Sequence, residues 1–251
     1  MTSLVLALIA GAVVGLALGG LGGGGSVIAV PALIYLLGFG PAAATTAGLL
    51  IVIATSLTGL LAHARDGLVR WRTGGLFAAA GIVPAALAGA VSVRLPSGVL
   101  TAAFAVLAVV AGVRMLRAAG TPRAAGLPDA VPVRRAAGAG AGLGAVTGLL
   151  GVGGGFLAVP ALVTVLALPM RAAVGTSLLV IIVNSTAALA VRLATPTPLD
   201  WALIAPFAAT AVLGAWDGKR LAAKVSTDSL QRVFGAVLLA VAVFMLVDSV
   251  L

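Results

Sequence analysis

Apolar residues run along this chain in long stretches separated by short polar, glycine-rich or proline-rich breaks. Against the roughly 20 residues that a membrane-spanning helix requires, the stretches fall near 3–20, 26–38, 42–62, 74–93 and 98–116. A polar linker comes next, "RAAGTPRAAGLPDAVPVRR" from Arg117 to Arg135, and then five more stretches near 136–150, 156–168, 172–193, 201–219 and 230–250. Each stretch predicts a helix. The stretches after the two glycine runs, Ser26 to Gly38 and Phe156 to Leu168, are short for a full crossing, and so is Ala136 to Leu150. Such lengths predict re-entrant or half-spanning pieces.

The two halves share one plan. At an offset of 129, Gly22, Gly24, Gly25, Ala29, Val30, Pro31, Ala32 and Leu33 match Gly151, Gly153, Gly154, Ala158, Val159, Pro160, Ala161 and Leu162. One inserted residue later, Trp71 matches Trp201, Phe104 matches Phe234, and Met115–Leu116 matches Met245–Leu246. An ordered set of this kind marks an internal duplication. Five segments is an odd number, so the second half begins on the opposite side of the bilayer and the repeats are expected to be inverted.

Composition agrees with a bilayer. The 251 residues are 62% hydrophobic and 8% charged, with a mean hydropathy of +1.26, outside the range of soluble domains. With no cysteine, no glutamate and one histidine, thiolate, zinc and di-iron sites have no ligands to build them, and no cofactor is implied. The net charge of +9 sits in short gaps between apolar runs rather than on an aromatic-rich basic face, which argues for membrane topology and against nucleic acid. Placing the linker in the cytoplasm puts every Lys and Arg there except Arg94 and Arg192, and leaves both termini outside. The first twenty residues lack the basic start of a signal peptide and have a counterpart later in the chain, so they are read as a membrane segment.

The glycine runs, "GLGGGGSVIAVPAL" from Gly20 and "GLLGVGGGFLAVPAL" from Gly148, are where chemistry is expected. Non-helical backbone survives at membrane depth only where protein buries it or water lines it. Each run therefore predicts a helix, glycine tip, helix hairpin, the two tips entering from opposite faces and meeting near the midplane. Successive N–H groups at a helix start make an anion site that needs no buried cation, and no charged residue lies at the centre of any stretch. Gly11, Gly15 and Gly19 stand at small-xxx-small spacing, which predicts close helix packing. Gly20, Gly22 and Gly25 also fit GxGxxG, but neither the preceding strand nor the later acidic residue of a dinucleotide site is there.

Polar residues gather on the third stretch of each half: Thr45–Thr46, "TSLTG" from Thr55, "GTSL" from Gly175 and "NST" from Asn184. Thr55 and Ser56 stand opposite Asn184 and Ser185 at offset 129. A lone Ser or Thr usually bonds its own helix, and Asn184 is either interhelical glue or a substrate contact. His63 reads as an interfacial histidine among arginines, and Asp217 as a partner for Lys219 or Arg220. Trp71, Trp201 and Trp216 read as interfacial anchors.

The duplicated G-x-G-G-G-(S/F)-x-x-x-V-P-x-L block, "GTSL" in the second half and the run from His63 to Arg72 resemble the TauE/SafE sulfite exporter family over essentially the whole chain. The resemblance implies a permease moving sulfite, thiosulfate, sulfoacetate or related sulfonates across the bacterial inner membrane. "TTAGL" stands in the first half where such proteins usually carry "ATSL", Arg70 where an aspartate is common, and Arg192 opposite His63.

The expected molecule is thus an all-α integral membrane protein of two inverted repeats, 1–116 and 136–251, joined by a cytoplasmic linker, 117–135. It is read as a carrier working by alternating access in the plasma (inner) membrane, with a non-sulfur organic anion or an anion channel as the alternatives. Its expected partners are the lipid bilayer and a small anion, with a proton or sodium ion as coupling ion; no buried carboxylate marks which. An intramembrane enzyme would need a nucleophile with its base at membrane depth. The substrate donors expected are the backbone of Gly22, Gly23, Gly24, Gly25, Ser26, Gly151, Gly153, Gly154 and Gly155, with side chains of Ser56, Thr176, Ser177, Asn184 and Ser185. Replacing Gly24 or Gly153 by valine should abolish transport while leaving membrane insertion largely intact; flux and membrane yield of the two variants are the readout.

Overall fold

The computed structural model describes residues 2–92, 97–119, 132–150, 155–192 and 198–248. They form α1 (Thr2–Leu21), α2 (Gly24–Pro31) continued by π-helical turns over Ala32–Leu36, α3 (Pro41–Arg65), α4 (Trp71–Ser92), α5 (Ser97–Ala118), α6 (Val133–Leu150), α7 (Gly155–Thr164), α8 (Met170–Arg192), α9 (Trp201–Ala223) and α10 (Thr227–Asp248). No strand occurs among the described residues. Every apolar stretch of the sequence holds a helix. Among the described residues four are long and apolar enough to cross a membrane: Thr2–Leu21, Ala42–Arg65, Met170–Ala190 and Thr227–Phe244.

Local chemistry sets the boundaries. α3 starts with Pro41 just after Gly40 in extended conformation, where the absent N–H costs nothing, and ends with His63 and Arg65 beside its C-terminal carbonyls. Asp200 caps α9, its Oδ1 accepting from the Ala202 N–H at 3.0 Å. Helix overruns the linker at both ends, α5 reaching Ala118 and α6 starting at Val133. Hydropathy marks which residues are apolar, whereas a helix continues through exposed Arg134 and Arg135 as long as its backbone bonds are made.

The short helices stop by the same turn in both halves. After α2 and its π turns, the Phe39 N–H reaches the Leu33 carbonyl at 3.0 Å, and after α7 the Leu168 N–H reaches that of Leu162 at 3.0 Å. The left-handed residue this turn needs is Gly38 (φ 71°) in the first case and Ala167 (φ 55°) in the second. A Cβ there costs roughly 1–2 kcal/mol of strain.

Packing pairs helices of one half with helices of the other. α1 lies along α9 with Gly11, Gly15 and Gly19 pressed on the backbone of Phe207, Ala211 and Ala215. α6 lies along α4 the same way, with Gly140, Gly144 and Gly148 on Phe77, Gly81 and Ala85. These are the same three positions 129 residues on. α3 packs on α8 and α5 on α10, while Phe104 of α5 meets Phe156 of α7 with ring centroids 4.8 Å apart. Buried apolar residues form two clusters, one around α7 with α5, α8 and α10, including Phe156 and Leu162, the other around α3 with α1 and α9, including Leu33, Ile51 and Leu178.

Small residues at these contacts permit a backbone approach that any side chain would block. A Cβ on Gly144 would overlap the Gly81 carbonyl, whereas one on Gly142 of the same helix meets nothing within 4 Å. Gly144→Ala should therefore lower stability in detergent by about 1–3 kcal/mol. Gly142→Ala should raise it by about 0.5 kcal/mol, and paired thermal melts check both.

Candidate functional site

The first glycine run does break the helix. α1 closes with the Gly22 N–H bonded to the Leu18 carbonyl at 2.8 Å, Gly22 turns left-handed at φ 72°, and α2 starts two residues later. The space beside Gly22 is filled by the other half of the chain: a Cβ there would lie 2.7 Å from Ser177 Oγ, 3.1 Å from Val159 Cγ2 and 3.4 Å from Val174 Cα. Gly23 is tighter still, since its Cβ would overlap the Gly155 carbonyl and stand 2.7 Å from Phe156 Cα. The break between α1 and α2 thus rests directly on the start of α7. Gly155 opens α7 and is buried. Gly24, Gly25 and Ser26 form the first turn of α2, the turn whose N–H groups lack intrahelical acceptors. Gly151, Gly153 and Gly154 lie outside the described residues.

The side-chain candidates sit on α3 and α8, which run antiparallel. Near one end a Cβ on Gly175 would lie 3.2 Å from His63 Cβ, and further along a Cβ on Gly59 would lie 3.1 Å from Leu178 Cδ1. In that register Ser56 and Ser185 stand close to the level at which equivalent positions of the two helices pass each other. Both are buried, at 0% and 1% exposure, and neither hydroxyl has a hydrogen-bond partner. Leaving a hydroxyl so costs roughly 1–3 kcal/mol.

Neighbouring hydroxyls are occupied. Thr55 donates to the Ile51 carbonyl at 2.7 Å, Ser177 to that of Val174 at 2.7 Å, Thr46 to Ala42 and Thr58 to Ala54; these are the own-helix bonds expected of lone hydroxyls. Thr176 accepts from the backbone N–H of Arg70 at 3.1 Å, fixing the α3–α4 turn to α8. Asn184 is half-buried. Among the described residues no set of His, Cys, Asp or Glu is placed to hold a metal ion.

The arginine-rich end holds two features that the sequence pattern missed. His63, in the last turn of α3, is buried at 4% exposure, and its Nδ1–H donates to the Gly59 carbonyl at 2.9 Å. Lys219 of α9 reaches across to Asp66, just past α3, at 2.6 Å, and donates to the Ala62 carbonyl at 2.9 Å. Asp217 takes Arg220 instead, at 3.6 Å. Trp216 lies beneath Arg65 and Arg220, whose guanidinium carbons stand 5.8 Å and 6.0 Å from its ring centre, while Trp71 and Trp201 open α4 and α9 as exposed residues. At the opposite end a recess of about 480 Å³ opens between Leu37, Phe39, Ala42 and Ala43 on one side and Pro198, Asp200 and Leu203 on the other.

Comparison with known proteins bears on the whole of this arrangement. The family model described as "Sulfite exporter TauE/SafE" matches residues 7–245. A "Probable membrane transporter protein" of Xylella fastidiosa strain 9a5c is 35% identical over 251 residues, covering 97% of this chain and 95% of its own. A protein of the same description from strain Temecula1 is 34% identical over 250 residues with the same coverage.

The hydrogen bond from Lys219 holds Asp66 below the usual carboxylate range. A depressed folded value means stability that is present above the unfolded pKa of about 3.9 and lost as pH falls through the lower folded value. Asp66→Asn should therefore cost up to about 1 kcal/mol at neutral pH, as for an exposed pair. The gap from the parent protein should close on acidification below the ordinary carboxylate pKa, as read from melts across pH.

Proposed function

The chain belongs to the TauE/SafE sulfite exporter family of membrane transporters, and on that premise we propose that it is a secondary carrier of a small sulfur oxyanion or organosulfonate. Sulfite, thiosulfate, sulfoacetate and related sulfonates are the substrate class. Membership of a transporter family supports a permease, and its apolar helices fit a multi-pass membrane protein.

The observation that carries the binding site is the pair of unpartnered hydroxyls, Ser56 and Ser185, at equivalent positions of the two halves. A buried donor without an acceptor is a cost that a bound anion would remove. Sulfur oxyanions offer several acceptor oxygens in a pyramidal or tetrahedral array, which suits donors arriving from two helices and from the N-terminal turns of α2 and α7. Such a site would hold the anion by hydroxyls and by the N–H groups of helix starts, without a full cation.

Two inverted repeats are the architecture that supports this, spanning 1–116 and 136–251. Their support is the exchanged pairing of α1 with α9 and of α6 with α4 through the same three small positions, together with the duplicated turn at Gly38 and Ala167. Substrate passes by rocking of one set of helices against the other around the fixed breaks. The arginine-rich end and the linker face the cytoplasm of the bacterial inner membrane and both termini lie outside, by the distribution of Lys and Arg.

The test is thermal stabilisation of the purified protein by sulfite, thiosulfate, sulfoacetate, taurine and carboxylate analogues. One sulfur anion at a hundredfold its Kd should add about 2.7 kcal/mol. Ser56→Ala and Ser185→Ala should each raise the stability of the empty protein by about 1 kcal/mol and weaken anion binding about tenfold. Variants that are less stable yet bind normally would make these serines structural and sink the site.

A further inference from the structure

The two ends of α9 are built differently. Its N-terminal end, with Asp200 and Leu203, borders the open recess, and across that recess lie Ala42 and Ala43 of α3. The Asp200 carboxylate accepts from its own helix, from Ala202, and no ion pair crosses there among the described residues. At the other end Lys219 ties α9 to the end of α3 through Asp66 and the Ala62 carbonyl. Arg171, in the first turn of α8, adds bonds of 3.1 Å to the carbonyls of Ala223 and Val225, where α9 ends.

Between these ends α9 is fixed to α1 by backbone contact at Gly11, Gly15 and Gly19, so α1 and α9 move as one body. α3, which carries Ser56, packs on this pair through side chains of one shared core and is the surface against which the pair would tilt. Tilting the α1–α9 body about its middle would close the recess at one end only if the lysine clasp opened at the other. From this geometry we infer that Lys219 and Asp66 are the gating residues of the arginine-rich end: their ion pair holds that passage shut while the recess end is open, and it breaks when the carrier turns over.

The pair suits such a duty. Its side chains are 20% and 49% exposed, so both charges are re-solvated on opening, whereas a buried pair would resist separation. The Ala62 carbonyl belongs to the last turn of α3, where a cation also meets the negative end of the helix. The clasp has no equivalent in the duplicated plan, because Gly89 stands where the first half would carry a lysine and Thr195 where the second would carry the aspartate. The gate therefore acts at one face, and the carrier rests turned toward the other.

This inference rests on the alternating-access reading, and its test needs no substrate. The chain has no cysteine, so a single Ser56→Cys reports access to the passage in an otherwise unaltered protein. Labelling by a membrane-impermeant thiol reagent is timed from each side, in right-side-out and inside-out vesicles. Asp66→Asn and Lys219→Met should each speed labelling from the arginine-rich side about fivefold, the equivalent of about 1 kcal/mol, and the exchanged pair Asp66→Lys with Lys219→Asp should bring the rate back. Ser185→Cys serves as a second reporter should Ser56→Cys fold poorly. Rates within twofold of the parent in both single variants would overturn the gate. A rise that the exchanged pair leaves in place would overturn it too, since that reports loosening rather than a lost charge pair. If no sulfur anion binds, the substrate assignment fails on its own panel and the labelling rates still judge the gate.

Discussion

In hydrocarbon a peptide group has no water to bond, and every N–H and C=O must find its partner within the protein. This one requirement organises the molecule. It makes helix the form of every apolar stretch, and it permits the chain to leave that form between α1 and α2 only because the start of α7 and the side of α8 close over the gap. Glycine is needed at Gly22 for a left-handed turn and at Gly23 because backbone from the other half lies where a side chain would be. The break between α1 and α2 and its cover come from different halves, so the first half cannot bury its own break.

Between helices the same economy recurs with small residues. Lipid is as apolar as leucine, so association depends on close fit. The ridges at Gly11, Gly15 and Gly19 and at Gly140, Gly144 and Gly148 bring backbone against backbone. Both ridges meet a partner from the other half, and α3 with α8 and α5 with α10 do likewise. Among the described residues, the hydroxyls of Ser56 and Ser185 stand apart as buried side-chain groups without a partner.

Much of this was legible in the sequence because it is one-dimensional. Hydropathy located each helix, the first glycine run located the break between α1 and α2, and the small-xxx-small spacing of Gly11, Gly15 and Gly19 located one of the two ridges. The π-helical turns after Pro31 were not legible, since a proline signals an interrupted helix but not the form in which the chain continues beyond it. Nor could spacing separate Ser56 and Ser185 from Thr55 and Ser177: all four are buried hydroxyls on the same helices, and only rotamer and neighbour decide which finds a carbonyl. The partner of Lys219 was hidden for another reason. Asp217, close in sequence, offered a simpler pairing, while Asp66 is brought near only by the packing of α9 on α3.

The crossing of partners between halves has a consequence for how the chain is made. α1 ends at Leu21, but the surface it needs does not begin until Trp201. At about 5–20 residues per second of synthesis, the first helix enters the membrane on the order of ten seconds or more before its mate exists, with its glycine ridge turned to lipid. α6, by contrast, finds α4 already in place. Of the two glycine ridges, the one on α1 is therefore made first and locked last.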